Sequence, residues 1–310
     1  MTKPYSQKYR THNWSAYNAS LKSRGSLSVW FDPRMSWLGT PSGKRGRDQT
    51  FSDAAIQTCL MIKSLFQLAL RQTTGFVESL IRLCGLTWTV PDFSTLSRRQ
   101  KQIDIHIPYQ TSHDGLHLLV DSTGIKMMGE GEWKRKKHGA EYRRQWRKLH
   151  IGIDADTLQI RAVMVTKSRI GDASVLPDLL DQIPQNEALL SVCGDGAYDT
   201  KRCHKAIAAR KAASLIPTRK NGKPWKEKTA GAVARNDTLR LTDLLGRTIW
   251  RQWSGYHRRS LVETKMRCVK LLGEKLMARD FERQVNELHA RIAVLNHFTM
   301  LGRPHTRVVS

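Results

Sequence analysis

The sequence predicts a small all-helical module followed by a mixed α/β domain, on two observations. Residues 51 to 108 contain three stretches with apolar residues at helical spacing, joined by short turns. Beyond about residue 110, apolar runs that end in Asp and Gly alternate with helical stretches, as in an α/β sheet. Residues 1 to 50 are rich in aromatic, Ser, Gly and basic residues and are expected to form an N-terminal arm. Its segment GTPSGKRGRDQT either follows a phosphate backbone or forms a solvated linker.

The charge of the chain indicates a polyanionic partner. The 310 residues include 52 Lys and Arg against 27 Asp and Glu, a formal net charge of +25. Because self-repulsion of this excess opposes folding, nucleic acid binding explains it best. A generally basic surface or a membrane surface is the alternative. No apolar run reaches membrane-spanning length, and MTKPYSQKYR lacks a signal-peptide core. The five cysteines are scattered without metal-ligand spacing, which is typical of a reduced cytoplasmic protein without a zinc finger.

The stretch from residue 51 to 108 has the features of a DNA reader. Ser52 and Asp92 are candidate caps of the first and third helices, and Thr73-Thr74-Gly75 is a candidate turn before the second. The third helix is expected to expose three cations: Arg98, Arg99 and Lys101. Three short helices of which the last is basic fit a helix-turn-helix-type module. A helical bundle without DNA contacts would show the same periodicity.

The region from residue 109 to 310 predicts a definite order of elements. GLHLLVDSTG is a strand ending in Asp121, RKLHIGIDADTLQIRAVMVTKS is a hairpin, and ALLSVCGDGAYDT is a strand leading to Asp195. A polar basic loop, residues 221 to 237, precedes the last two helices. The order β-β-β-α-β-α-β-α, with an antiparallel first hairpin, is that of a ribonuclease-H-like domain.

Asp121 and Asp195 occupy equivalent positions in this order. Each follows a buried strand, at the sheet edge where open α/β sheets bind ligands. If the two strands are neighbours, the carboxylates converge, and their repulsion is relieved by a cation such as Mg²⁺, for which Mn²⁺ can substitute. Either Asp taken alone is explained equally well by a turn. Asp154 and Asp199 are rival acids, but neither emerges directly from an apolar strand.

The segment YHRRSLVETKMRCVK, residues 256 to 270, predicts a helix with an unusual polar stripe. Four of its residues fall within about 60° of one another, apart from the apolar face: Tyr256, Arg259, Glu263 and Lys270. Glu263 is the candidate third metal ligand. Arg259 suits a two-pronged phosphate contact, Lys270 a point contact, and Tyr256 base stacking or a phosphate hydrogen bond. The alternative is an exposed pair of Arg259 with Glu263, worth about 0.5 kcal/mol.

A second basic segment, EWKRKKHGAEYRRQWRKLH, covers residues 132 to 150. Aromatic residues are interleaved with its cations, a mixture that suits backbone contacts and base stacking, whereas a solvated charge run usually lacks them. The candidate DNA contacts are Lys134, Arg135, Lys136, Lys137, Arg143, Arg144 and Arg147. His150, in the same segment, has no ligand-like spacing.

Three blocks of the sequence resemble one family. Tyr256, Arg259, Glu263 and Lys270 are spaced as in the Y-R-E-K signature of bacterial insertion-sequence DDE transposases. VDSTG around Asp121 and GDGAYD around the second Asp look like its other two acidic blocks. The segment TTGFVESLIRLCGLTWTVPDFSTLSRRQK is similar to the N-terminal region of the 903 branch of insertion-sequence family 5. The resemblance covers nearly the whole chain.

The resemblance implies a ribonuclease-H-like core in which Asp121, Asp195 and Glu263 are catalytic and hold two Mg²⁺ ions. One ion would activate the attacking oxygen and the other would stabilise the leaving 3′ oxygen. Such an enzyme binds the terminal inverted repeats of its element, frees 3′-OH ends and transfers them to target DNA. The resemblance also implies a homodimer in the synaptic complex and a cytoplasmic, nucleoid-associated bacterial protein.

Two other functions fit parts of the sequence. A metal-dependent ribonuclease-H-like nuclease without strand transfer would need the acids but neither the N-terminal module nor Lys270. A non-catalytic DNA-binding regulator would not need three intact acids. We therefore expect an arm over residues 1–50, a helical DNA-binding domain over residues 51–108 and a catalytic domain over residues 109–310.

Overall fold

The computed structural model forms two compact units. One comprises residues 1–108 and 293–310, and the other comprises residues 109–292. The division by function into arm, DNA-binding domain and catalytic domain stays a prediction. The residues that the structure describes are 8–26, 30–31, 35–41, 43, 45–46, 48–112, 114–127 and 146–309.

The elements are numbered in chain order. They are β1 (Lys8–Thr11), α1 (Trp14–Ser23), α2 (Asp53–Leu65), α3 (Leu70–Leu83), α4 (Phe93–Gln102), β2 (Leu116–Met127), β3 (Trp146–Asp154), β4 (Ile160–Lys167), α5 (Asp172–Asp181), β5 (Leu189–Cys193), α6 (Lys201–Ala209), β6 (Ala213–Leu215), α7 (Ala232–Trp253), α8 (Ser260–Leu271), β7 (Lys275–Leu276), α9 (Phe281–Leu301) and β8 (Thr306–Val309). In the described ranges, no helix combines the length and apolar character needed to cross a membrane.

The first unit contains the three helices expected between residues 51 and 108. The Ser52 hydroxyl accepts a hydrogen bond from the Ala55 amide at 3.0 Å, and Asp92 accepts one from the Thr95 amide at 2.8 Å. Both side chains therefore satisfy amides at helix N-termini, which lack partners within the helix, as predicted. The antiparallel pair β1–β8 belongs to the same unit.

The predicted turn at Thr73-Thr74-Gly75 is wrong. Helix α3 begins earlier, at Leu70, and runs through these three residues. The hydroxyls of Thr73 and Thr74 donate to the carbonyls of Ala69 and Leu70 at 2.9 and 3.2 Å. Both side chains thus make hydrogen bonds within the first turns of the helix rather than in a loop.

The second unit contains a six-stranded sheet, and its elements from β2 to β6 follow one another along the chain in the predicted order. Five strands run β4-β3-β2-β5-β6, and β7 pairs with β2. The first three strands are antiparallel neighbours, whereas β2, β5 and β6 are parallel. Helix α5 lies between β4 and β5 in the chain, and α6 lies between β5 and β6. This mixed sheet agrees with the expected ribonuclease-H-like core.

The sheet has two covered faces. Leu118 and Val120 of β2 join a buried cluster with Leu176 and Leu179 of α5. Because side chains alternate along a strand, Asp121 points to the opposite face. Helix α8 packs against β2 and β3, with Val262, Met266 and Val269 buried. The acid on β2 and the helix that carries Glu263 are therefore brought to the same part of the sheet.

Three predicted boundaries are wrong. Strand β2 does not end at Asp121 but continues to Met127, because pairing with β3 extends as far as Lys126. The loop predicted over residues 221–237 becomes helix α7 at Ala232. Residues 256–270 are not one helix, since Tyr256–Arg259 form a 3₁₀ turn before α8 begins.

Candidate active site

Asp121 and Asp195 come from neighbouring parallel strands. Pairing between β2 and β5 ends at Leu119 and Cys193. Each acid lies two positions beyond the end of this pairing. Asp195 then caps a 3₁₀ turn, where its Oδ1 accepts the Ala197 amide at 2.9 Å. The sheet thus fixes both carboxylates at one opening between strands, although β2 itself continues.

The Arg259 side chain connects Glu263 to Asp121 at this opening. The Arg259 guanidinium donates from Nη1 to Asp121 Oδ2 at 2.7 Å and from Nη2 to Glu263 Oε1. The other Asp121 oxygen accepts the Ser122 amide at 2.8 Å. The Asp121 and Arg259 side chains are 17% and 21% exposed, whereas Glu263 is 55% exposed. One cation therefore bridges a strand acid and a helix acid.

The electrostatics of the three acids are coupled. Burial raises the pKa of Asp121 above its ordinary value, and the nearby Asp195 and Glu263 carboxylates add to this effect. The Ser122 amide and Arg259 act in the opposite direction. For Arg259, burial alone would lower the pKa, but Asp121 and the other nearby groups raise it. The site therefore concentrates negative charge around one guanidinium.

Tyr256 and Lys270 differ in how they are held. Tyr256 is half-buried, with its ring 5.5 Å from that of Trp250. Burial raises the pKa of Tyr256, and Asp195 is among the nearby groups that raise it further. Lys270 lies near the end of α8, and its side chain forms no ion pair or hydrogen bond with the described residues. The structure thus brings Tyr256, Arg259 and Glu263 near the two aspartates.

The rival acids are used in structural bonds. Asp199 accepts from Arg235 Nε at 2.8 Å and Nη2 at 3.1 Å, and from the Arg219 amide at 3.1 Å. These bonds and His204 lower the pKa of Asp199 despite its burial. Asp154 is fully buried and accepts the Ser112 hydroxyl at 2.6 Å. Neither side chain is oriented for a ligand.

A polar cluster around Asp172 was not predicted. The Asp172 carboxylate lies 2.8 Å from Lys148 Nζ and 3.4 Å from Nδ1 of the buried His150. Burial opposes ionisation of Asp172, but the neighbouring His150, Lys148 and Ser122 side chains lower its pKa. The signal available in the sequence was alternation, since Ser122, Lys148 and His150 all project from one face of the hairpin.

Tyr198 is a second residue that was missed. Its side chain is 1% exposed, and its hydroxyl has no hydrogen-bond partner within the described part of the chain. Burial raises the pKa of Tyr198, and the carboxylates of Asp172, Asp121 and Asp195 add to the rise. Its place in GDGAYD, three residues after Asp195, was the available signal.

The three acids fit a divalent cation by ligand type, since carboxylate oxygens suit Mg²⁺ and Mn²⁺. Their present arrangement is not a metal cluster. Among the described residues, no three or more His, Cys, Asp or Glu side chains are at present grouped as the ligands of a metal ion. Arg259 accounts for part of this, because it engages an oxygen of Asp121 and an oxygen of Glu263.

The three predicted DNA contacts of the first unit differ in how exposed their side chains are. Arg98 and Lys101 are both exposed, and Arg98 Nη2 lies 3.3 Å from the Thr95 hydroxyl. The prediction that Arg99 is exposed is wrong. Arg99 is only 9% exposed, because its guanidinium donates to the Phe51 carbonyl at 2.9 Å and pairs with Asp53. It ties α4 to the start of α2.

Most of the second basic segment lies outside the described residues. Of its seven candidate contacts only Arg147 is described. Its Nε donates to Gln284 Oε1 at 2.7 Å, and its guanidinium lies 5.0 Å from the Phe281 ring. Arg147 thus helps to hold α9 against β3. The undescribed candidates are Lys134, Arg135, Lys136, Lys137, Arg143 and Arg144.

Two family models match the chain. Residues 112–297 match a model described as a transposase DDE domain, and residues 22–130 match another with the same description. The first match alone covers more than half of the 310 residues. It includes both strand acids and the helix that bears Glu263. The chain therefore belongs to the transposases that carry a DDE domain.

Proposed function

We propose that this transposase binds the terminal inverted repeats of an insertion sequence, cleaves DNA to free 3′-OH ends and transfers those ends to target DNA. The 903 branch of insertion-sequence family 5 is the proposed subgroup, because the segment TTGFVESLIRLCGLTWTVPDFSTLSRRQK is similar to the N-terminal region of that branch. The proposed catalytic residues are Asp121, Asp195 and Glu263. The carrying observation is that Arg259 joins Asp121 to Glu263 while Asp195 adds to the charge around them.

The chain's own contribution to catalysis is to hold these carboxylates in fixed places. Asp121 is held within a buried strand and by the Ser122 amide, and Asp195 by the Ala197 amide. Glu263 is presented by the first turn of α8. These residues would hold two Mg²⁺ or Mn²⁺ ions. Such ions, when bound, stabilise charge on the attacking and leaving oxygens of phosphoryl transfer.

The proposed partner is double-stranded DNA, both element ends and target. The net charge of +25 supplies the non-specific attraction. Within the described residues, the proposed phosphate contacts are Arg98 and Lys101 of α4, Arg259, and Lys270 of α8. Tyr256 is proposed to stack on a base or to bind a phosphate. The segment from residue 132 to 150 is proposed to add further contacts. Because two ends must be joined, we propose a homodimer on DNA, in the bacterial cytoplasm and on the nucleoid.

The substitution Glu263→Gln tests the proposal. It should reduce Mg²⁺-dependent cleavage of repeat-containing DNA by about 1000-fold or more, since metal ions contribute several kcal/mol to such reactions. DNA affinity, measured by fluorescence anisotropy, should not fall. Glu274→Gln makes the same chemical change at an exposed position one turn after α8 and should cleave normally. Wild-type cleavage by Glu263→Gln would refute the catalytic assignment, and cutting without sequence preference would favour the plain nuclease.

A further inference from the structure

The oxygens of Asp121 are both engaged within the protein. Oδ1 accepts the Ser122 amide at 2.8 Å, and Oδ2 accepts Arg259 Nη1 at 2.7 Å. The same guanidinium donates from Nη2 to Glu263 Oε1. Arg259 therefore takes one oxygen from each of two acids that come from different elements, β2 and α8.

This arrangement is particular to Arg259 rather than general to the turn. The neighbouring cation, Arg258, points elsewhere and pairs with Asp156 in the turn between β3 and β4. The Arg259 side chain is 21% exposed, so its ion pair with Asp121 is shielded from water more than a surface pair. A two-pronged guanidinium contact also fixes geometry, so it sets the positions of both acids.

A divalent cation and this guanidinium compete for the same oxygens. Both are positive, so the carboxylates attract each of them, while the two repel one another at the short distances involved. Binding of a metal by Asp121 and Glu263 therefore requires Arg259 to withdraw. A withdrawn guanidinium has its two-pronged donor face free, which matches the geometry of a phosphate.

We propose that Arg259 is a place-holder for the metal, which neutralises Asp121 and Glu263 and transfers to a DNA phosphate when metal binds. This inference rests on the proposed function, because it takes the three acids as the metal site. A consequence of this role is that metal binding and DNA binding are coupled. Metal binding releases Arg259 for DNA, DNA holds Arg259 away from the acids, and each ligand raises the affinity for the other by the same factor.

Titration calorimetry with Mn²⁺, on the full chain without DNA, tests the place-holder. Arg259→Gln should bind Mn²⁺ about fivefold or more tightly than wild type, the lower end of usual coupling between sites. Arg258→Gln removes one positive charge from the same turn and should bind as wild type does. Arg259→Lys keeps the charge but has one nitrogen in place of the two that contact Asp121 and Glu263, so its affinity should lie between those of wild type and Arg259→Gln. Circular dichroism of each variant confirms folding.

The DNA arm of the experiment tests the coupling. A duplex with an element end should tighten Mn²⁺ binding by wild type, and should tighten it less for Arg259→Gln. Equal or weaker Mn²⁺ binding by Arg259→Gln would overturn the place-holder, because Arg259 would then preorganise the acids. The Glu263→Gln variant distinguishes a failure of the place-holder role from a failure of the proposed metal site. If it binds Mn²⁺ as wild type does, or if no variant binds Mn²⁺, the metal site of the proposed function fails as well.

Discussion

At the scale of single residues, two acids four positions apart have different surroundings. Asp199 accepts hydrogen bonds on both oxygens, including two from Arg235, and is buried. Asp195 accepts one amide and is only half-buried. The difference follows from the turn that separates them, since its 3₁₀ residues direct one carboxylate to the sheet opening and the other to the Arg235 side chain. We interpret Asp199 as structural and Asp195 as catalytic.

The substitutions Asp199→Asn and Asp195→Asn should differ in their effect on stability. Asp199→Asn leaves the Arg235 charge buried without its anion and should lower the free energy of unfolding by about 3 kcal/mol. Asp195→Asn should change it by less than about 1 kcal/mol, because its partner is a single amide. Urea unfolding of both variants measures this, with cleavage assayed in parallel. A stable Asp199→Asn variant that cannot cleave would reverse our assignment.

The raised pKa of Asp121 predicts a pH dependence of stability. A carboxyl whose folded pKa exceeds its unfolded value stabilises the fold while protonated, and this contribution is lost as pH rises through the folded pKa. Asp121→Asn cannot lose a proton, so its stability relative to wild type should rise as the pH increases above about 4, the ordinary pKa of an aspartate. Urea unfolding across that range, with chelator present, measures the difference. A difference that is constant, or that falls with pH, would contradict the account.

At the scale of elements, the succession of strands along the chain could be predicted but the length of β2 could not. Apolar runs alternating with helical stretches identify β2 to β6, and the short turn at residues 154–156 identifies the hairpin. The Ser-Thr-Gly sequence after Asp121 resembles the end of a strand, yet β2 continues because β3 and β7 pair with it. Those partners are distant in sequence, so the extension depends on tertiary contacts that local patterns do not contain.

The contacts of the candidate site that lie close together in the chain could be predicted, and the long-range contact could not. Arg259 and Glu263 were placed on one helix face, and they do meet, although a 3₁₀ turn precedes α8. A spacing of four residues brings side chains together across this junction as it does within a helix. The bond from Arg259 to Asp121 could not be predicted, because it joins residues far apart in the chain.

Helix α7 was missed because its first turns are polar. Arg235 and Asn236 lie in a stretch that reads as a loop, but both are buried. The Asn236 side chain donates to the Trp225 carbonyl at 2.8 Å and accepts the Trp225 amide at 2.9 Å. The first turns of the helix are thus stabilised by hydrogen bonds to the preceding loop. Helix propensity alone does not include these tertiary contacts.

The junction between β5 and its turn should not tolerate a side chain at Gly194. A Cβ there would lie 2.9 Å from Tyr198 Cδ2 and 3.1 Å from Val120 Cγ2. Gly194→Ala should therefore cost about 1–3 kcal/mol of stability and shift Asp195, lowering cleavage. Gly196→Ala, whose Cβ would be 3.6 Å from its nearest neighbour, is the matched control and should be tolerated. Thermal unfolding compares them, and equal stabilities would argue against the packing described.

At the scale of the whole molecule, the dominant feature is the charge of +25. An excess of this size predicts DNA binding that weakens with salt. The logarithm of the association constant should fall linearly with the logarithm of the salt concentration. The slope counts phosphate contacts, so it is a property of the full chain on DNA. Within the described residues, Arg98 and Lys101 are the contacts that we propose in the first unit.

Substitution of Arg98 and Lys101 by Ala should therefore flatten the salt dependence. Each lost phosphate contact reduces the slope by about 0.9, so the double variant should lose up to about 1.8. Lys205→Ala, an exposed cation on α6 outside the proposed interface, serves as the charge control. Fluorescence anisotropy at several salt concentrations gives the slopes. An unchanged slope in the double variant would remove α4 from the proposed DNA interface.

The most direct test of the central claim is cleavage of DNA that carries the sequences flanking this reading frame. Wild type and Asp195→Asn are compared with Mg²⁺ and with chelator, and the ends of the products are mapped. The account predicts a nick with a 3′-OH at a repeat boundary, present only with wild type and Mg²⁺. Cleavage by Asp195→Asn, or cleavage by wild type in the presence of chelator, would contradict it.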